Sequence, residues 1–201
     1  MSEFSHFSIS GSSRGGVEVI VGSMFSGKTE ELIRRLRRAE YARLPLQVFK
    51  PLIDNRYSIT DVTSHNKTSI ASIPVKSAEE IWQHLAPETK VVGIDEGQFF
   101  DEGLIQVAQD LADRGLRVII AGLDTDWQAK PFGPIPVLMA IAENVSKHHA
   151  VCIVCGGMAS RTQRTRGGTG QVEVGALDAY EARCREHFKP IVDQPHSIAN
   201  Q

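Results

Sequence analysis

Residues 17–43 read VEVIVGSMFSGKTEELIRRLRRAEYAR. A β-branched apolar run opens the stretch, a turn rich in glycine and serine follows, and a segment of helical periodicity closes it. In the turn, Gly22, Ser23, Met24, Phe25, Ser26, Gly27, Lys28 and Thr29 fit the spacing G-x-x-x-x-G-K-T of a phosphate-cradling loop. Glycines at that spacing let backbone N–H groups converge on phosphate oxygens, and the N-terminus of the next helix adds partial positive charge. Lys28 then reaches the β- and γ-phosphates, and the Thr29 hydroxyl ligates magnesium. The pattern predicts a strand over 17–21 and a helix over 28–43, with Leu32, Ile33, Leu36 and Ala39 on its buried face.

Working outward, short apolar runs alternate with amphipathic ones, as expected of a parallel sheet flanked by helices. Strands are predicted at 46–50, ended by Pro51, at 91–95 and at 116–124. The stretches LIDNRYS and TSHNKTS carry turn formers and no period, and read as loop. Ser77 and Glu80 have the spacing of a capping box for a helix through about Leu85. A further helix is predicted over 102–114, ended by Gly115. The expected class is α/β, a parallel sheet of the phosphate-loop NTPase kind flanked by helices, with a small zinc-binding module. Four regions are expected: a disordered tail over 1–15, an ATP-binding domain over 16–147, the zinc module over 148–190 and a C-terminal tail over 191–201.

A phosphate loop needs an acidic partner at another strand end to orient its metal. VVGIDEGQFF provides one: Asp95 for magnesium, and Glu96 beside the γ-phosphate. Glu96 has two possible tasks, activating water for hydrolysis or taking the proton of a substrate hydroxyl. Farther on, Cys152-x-x-Cys155 and Cys184-x-x-His187 form two short ligand pairs joined by the hairpin-like SRTQRTRGGTGQVEV. Three thiolates and one imidazole suit a closed, structural zinc site. His148 and His149 precede the first pair and are expected at a helix exit or on the surface.

The bulk numbers narrow the field. A chain of 201 residues with a formal charge of −2 lacks the broad basic face that duplex nucleic acid demands, and no stretch resembles a membrane span. The run RRLRR at 34–38 reads as a solvated helix face. Without an export signal, the cysteines point to metal before disulfide and the cytoplasm is the expected location. The main rival reading is a zinc-bearing phosphate-loop ATPase acting on nucleic acid.

Together, GSMFSGKT, DNRYS, IDEGQFF, LDTDWQAKPFGP, the C-x-x-C and QVEVGALDAYEARCREH resemble the cytosolic-type (type II) thymidine kinase family over residues 17–189. The resemblance implies ATP-dependent phosphorylation of the thymidine 5′-hydroxyl, and of deoxyuridine, in deoxynucleotide salvage for DNA synthesis. It places Asp95, Glu96, Gly97 and Gln98 beside the ATP phosphates, with Glu96 as proton acceptor. Asp54 and Arg56 match positions near the phosphates and metal. Met24, Phe99, Leu123, Trp127 and Phe132 match the wall around the base, although phenylalanine is expected where Trp127 stands. The resemblance also implies a substrate loop on the zinc module, roughly Arg161 to Tyr180, in which the backbone of Gln171, Val172, Glu173, Val174 and Gly175 would hydrogen-bond the base and Tyr180 would lie near the deoxyribose. His187 stands where animal members have a fourth cysteine. A homotetramer and feedback inhibition by thymidine triphosphate are implied too.

Overall fold

The apolar run at 17–21 forms β1 (Gly16–Gly22), buried along its whole length. The computed structural model describes residues 15–52, 61–63, 69–166 and 179–189. In chain order β1 is followed by α1 (Lys28–Tyr41), β2 (Leu46–Pro51), β3 (Asp61–Thr63), β4 (Ser69–Ala71) and β5 (Ile73–Val75). Next come α2 (Ile81–His84), β6 (Val91–Ile94), a 3-10 turn (Gly97–Phe99), α3 (Gly103–Asp113) and β7 (Arg117–Gly122). α4 (Ile135–Ile141), β8 (Asn144–His148), β9 (Ala150–Val151), β10 (Met158–Ala159), β11 (Arg161–Arg164) and β12 (Tyr180–Arg183) complete the order.

Six strands form one sheet in the order β5-β2-β6-β7-β1-β8, and every neighbouring pair is parallel. Alternation along the strands divides the core between the two faces. Val17, Val19 and Val21 of β1 pack with Val92, Ile94, Val118 and Ile120 against Leu104, Val107 and Leu111 of α3 and Leu138 of α4. Ile20, Val48, Val91 and Ile119 face the other way, onto Leu32, Ile33, Leu36 and Ala39 of α1. Each large apolar side chain so buried contributes about 1.5–3 kcal/mol, which is why α1 holds although five arginines lie between residues 34 and 43.

RRLRR only partly fits a solvated face. Arg34 pairs with Glu31 at 2.6 Å and Arg37 with Glu40 at 3.1 Å, both near the surface. Arg35 turns inward to Glu18 at 2.7 Å, and Arg117 reaches the same carboxylate at 2.6 Å. Glu18 sits on β1 and is buried, so two guanidinium groups balance its charge.

Three local expectations are corrected. Where LIDNRYS and TSHNKTS read as loop, Thr63 ends β3 and Ser69 begins β4, an antiparallel pair, and β5 then joins the main sheet through β2. These are three-residue strands, too short to show alternation. The capping box does not form: the Glu80 carboxylate accepts the Lys76 N–H at 2.6 Å, and α2 lasts only four residues. The strand β8 is an element that the sequence reading lacked, and it puts His148 at a strand end instead of a helix exit. Helix α3 ends at its predicted glycine, whose N–H donates to Ala112 O at 2.8 Å.

The remaining strands make two small antiparallel pairs, β9 with β10 and β11 with β12. Their buried cluster consists of Ala150, Cys152, Ala159 and Ala182, with Cys184 against it. So few and such small side chains hold little apolar area, and a unit of this kind needs a further tie.

Candidate active site

Topology assembles the site. Because β7 lies between β1 and β6, the segments leaving all three strands meet at one edge of the sheet. The segment after β1 is the phosphate loop. Gly22 (φ 148) could carry no side chain there, since a Cβ would stand 2.3 Å from His148 O. Gly27 (φ 80) turns the chain into α1, so Lys28 and Thr29 occupy the first helical turn. Lys28 Nζ donates to Ser23 O at 2.9 Å across the loop. The Ser26 hydroxyl is buried and has no partner among the described residues. An orphaned donor inside a loop of converging N–H groups fits an anionic ligand.

After β6 come Asp95 and Glu96. Thr29 Oγ1 lies 3.4 and 3.5 Å from the two Asp95 carboxylate oxygens. That separation is long for a hydroxyl–carboxylate bond and suits two oxygens that share a hydrated magnesium ion. Asp95 and Gln98 are buried, whereas Glu96 is half-buried. Glu96 adopts a left-handed backbone (φ 52, ψ 40), unusual for a residue with a side chain. Its Oε2 accepts from Gln98 Nε2.

An apolar wall adjoins these groups. Leu123, Trp127 and Phe132 are buried in the segment after β7, and the Phe99 and Phe132 rings meet edge-on at 5.6 Å. Met24 N donates to Thr162 Oγ1 at 3.0 Å, tying the phosphate loop to β11. Two strand positions on lies Arg164, at 1% exposure the most enclosed arginine among the described residues. Its Nε and Nη2 donate to Tyr180 Oη at 3.2 and 2.7 Å, and its guanidinium lies 4.5 Å from the centre of the Trp127 ring. Thr162 and Arg164 fall within the expected substrate loop, Arg161 to Tyr180, but neither was singled out in the sequence. The one available signal was the in-register hairpin, which pairs Arg164 with Tyr180.

The ligand atoms of Cys152, Cys155, Cys184 and His187 all lie within 4.8 Å of one another. Cys155 Sγ is 3.9 Å from Cys184 Sγ, and His187 Nδ1 is 3.9 Å from Cys152 Sγ and 3.1 Å from Cys184 Sγ. A tetrahedron with zinc–sulfur bonds of ~2.3 Å has edges of roughly 3.8 Å, so the set fits zinc. Burial pushes the Cys152 thiol up, but the backbone N–H groups of Cys184, Cys155 and Val154 outweigh it and bring it down to about 6, which favours the ligating thiolate. His148 and His149 are not in the cluster. Burial holds His148 below its ordinary value against the pull of Glu31, while Arg35 and Lys28 add to the fall.

The structure thus brings Lys28, Thr29, Asp95, Glu96 and Gln98 to one sheet edge; Leu123 joins them through Gln98, Phe99 meets Phe132, Met24 is tied to Thr162, and Trp127 and Tyr180 meet at Arg164. Asp54, Arg56 and the expected base-binding residues Gln171, Val172, Glu173, Val174 and Gly175 lie outside the described residues.

A parallel sheet with this loop, this acidic pair and a zinc-tied module defines a phosphate-loop nucleotide-binding protein of the α/β class. The model of the family described as thymidine kinase matches residues 15–188. A thymidine kinase of Bdellovibrio bacteriovorus is 72% identical over 195 residues, spanning 97% of this chain and 94% of the relative. One from Porphyromonas gingivalis is 55% identical over 92% of this chain and 90% of its own length. One from a Rhodothermus species is 56% identical over 90% of this chain and 84% of its own length. The chain belongs to the thymidine kinase family.

Proposed function

We propose that this protein transfers the γ-phosphoryl group of ATP to the 5′-hydroxyl of thymidine, giving thymidine monophosphate and ADP, with deoxyuridine as a second substrate. The observation that carries the reading is the meeting of Lys28, Thr29, Asp95 and Glu96 at one sheet edge beside an apolar wall. Residues 22–29 cradle the phosphates, and Lys28 offsets charge on the moving group. Thr29 and Asp95 would hold magnesium, which would supply positive charge against the phosphates. Glu96 takes the hydroxyl proton as the oxygen attacks phosphorus, and the ADP oxygen leaves on the opposite side. Met24, Phe99, Leu123, Trp127, Phe132 and Tyr180 enclose the nucleoside, aided by Arg56 at the phosphates and by the backbone of residues 171–175 at the base.

The same reading places an ATP-binding domain over 16–147, a zinc-tied substrate module over 148–190, a homotetramer, inhibition by thymidine triphosphate and a cytoplasmic location. No helix among the described residues is long and apolar enough to cross a membrane. An ATPase working on nucleic acid is disfavoured by the ion pairs that occupy Arg34, Arg35 and Arg37.

Incubation with ATP, magnesium and each natural nucleoside tests the proposal. Thymidine and deoxyuridine should yield labelled monophosphates, and Glu96→Gln should slow transfer by roughly 10²–10⁴-fold while both dissociation constants stay near wild type. ATP hydrolysis stimulated by DNA, with no monophosphate formed, would overturn it.

A further inference from the structure

We infer that Gln98 is the positioning residue that holds Glu96 in its reactive orientation, a role distinct from the cofactor contact expected of it. The inference rests on the reading of Glu96 as the proton acceptor.

Gln98 is 2% exposed, and both ends of its amide are engaged within the chain. Its Oε1 accepts the Leu123 N–H at 2.9 Å. A backbone N–H can only donate, so the oxygen must face Leu123 and the NH2 must face Glu96. The amide cannot flip without losing both bonds. Its donation to Glu96 Oε2 therefore has one sense: it takes up a lone pair on that oxygen and sets the plane of the carboxylate.

The surroundings fix Gln98 in turn. A Cβ at Gly122 would stand 2.9 Å from Gln98 Oε1 and 2.6 Å from Ile135 Cδ1, and one at Gly133 would stand 2.4 Å from Gln98 O. Glycine at both positions leaves the space that this buried glutamine fills. Leu123 follows β7 and Glu96 follows β6, so the side chain braces two neighbouring strand ends. Glu96 needs such a brace. It sits half-buried on a left-handed turn, a conformation rare for a residue with a side chain, which persists only where neighbours over-determine it. A base on an unbraced carboxylate would sample orientations that miss the hydroxyl, and the rate would fall without loss of binding.

The test is a double-mutant cycle read as single-turnover phosphoryl transfer with both substrates saturating. Gln98→Met matches the length and donates nothing. Gln98→Glu keeps an acceptor for Leu123 N–H but sets a carboxylate against Glu96. In the wild-type background each should lower the rate about tenfold or more, with the KM for thymidine and for ATP within about twofold. In the Glu96→Gln background each should change the rate by less than about twofold, because Gln98 has no base left to place. Equal fold losses in both backgrounds, a raised KM with unchanged turnover, or a Gln98→Glu chain that does not fold would each overturn the inference and leave the base reading standing. A near-wild-type rate for Glu96→Gln alone would instead remove the base reading, and the inference with it.

Discussion

Lys28 is the clearest case of one side chain tied to one chemical demand. It opens α1, and its ammonium crosses the loop to Ser23 O, 2.9 Å away, in reach of whatever the loop cradles. In transfer the charge of the moving phosphoryl group spreads over its outer oxygens, and a fixed cation stabilises that state more than the ground state. Lys28→Ala should therefore lower turnover by ~10²–10³-fold or more. The fold should survive, because the buried face of α1 is made by Leu32, Ile33, Leu36 and Ala39. Turnover of the purified variant, read beside its thermal midpoint, checks this; a folded Lys28→Ala protein of near-normal rate would sink the phosphate-loop assignment. Asp95 and Thr29 were as legible as Lys28, since a strand followed by an acid and a loop followed by a hydroxyl are local patterns. Gln98 was visible only as a member of a motif. Its bond to Leu123 joins residues that no local pattern connects.

At the scale of elements, the parts readable in sequence are those whose periodicity is complete within them. β1, β6 and β7 are short, largely apolar runs buried on both faces, α1 and α3 carry apolar residues at period 3.6, and each falls within a few residues of its predicted span. α4 and β8 were not read. β8 is NVSKH at the sheet edge, half-buried or exposed throughout, and becomes a strand because β1 offers it a partner from Glu18 to Gly22. Tertiary pairing decides such a segment, and propensity does not. β11 hides more. Thr162 holds the phosphate loop through Met24 N, and Arg164 holds Tyr180 and lies over Trp127, so one four-residue strand touches both ends of the site. Arg164→Met keeps an apolar stem but leaves the Tyr180 hydroxyl without its two donors. Hydrogen bonds to a charged group are worth about 1.5–3 kcal/mol, so the KM for thymidine should rise ~10–100-fold while that for ATP stays within about threefold. Steady-state kinetics with each substrate varied separately give the answer. Equal rises for both substrates would mean that Arg164 serves the fold as a whole.

At the scale of the whole molecule, a zinc ion held by Cys152, Cys155, Cys184 and His187 would act on a site that it does not touch. The six-stranded sheet has a core on each face and carries the phosphate loop, Asp95 and Glu96 just beyond the ends of its own strands. The apolar cluster of the small module has only four small buried residues, and the ligands come from both sides of the segment 156–183. Zinc would close that segment into a loop and hold β9, β10, β11 and β12 together, a gain that the apolar core alone cannot supply. Protein prepared without chelator should contain about one zinc per chain. In Cys184→Ser, or after chelation, the module should loosen at a lower temperature than the sheet, so that melting occurs in two steps. The substrates should respond unequally. Arg164 and Tyr180 belong to the loosened strands, so the KM for thymidine should rise more than tenfold, an effect of the size given above for losing bonds to a charged group. ATP should suffer less, because its loop stands on β1 and α1. It should still suffer somewhat, since the Met24 N–H loses its partner when Thr162 moves. Metal analysis, calorimetry and the two KM values form one experiment. A protein free of zinc with full activity would remove the structural role of the metal, and equal losses for both substrates would show that the module and the sheet unfold as one.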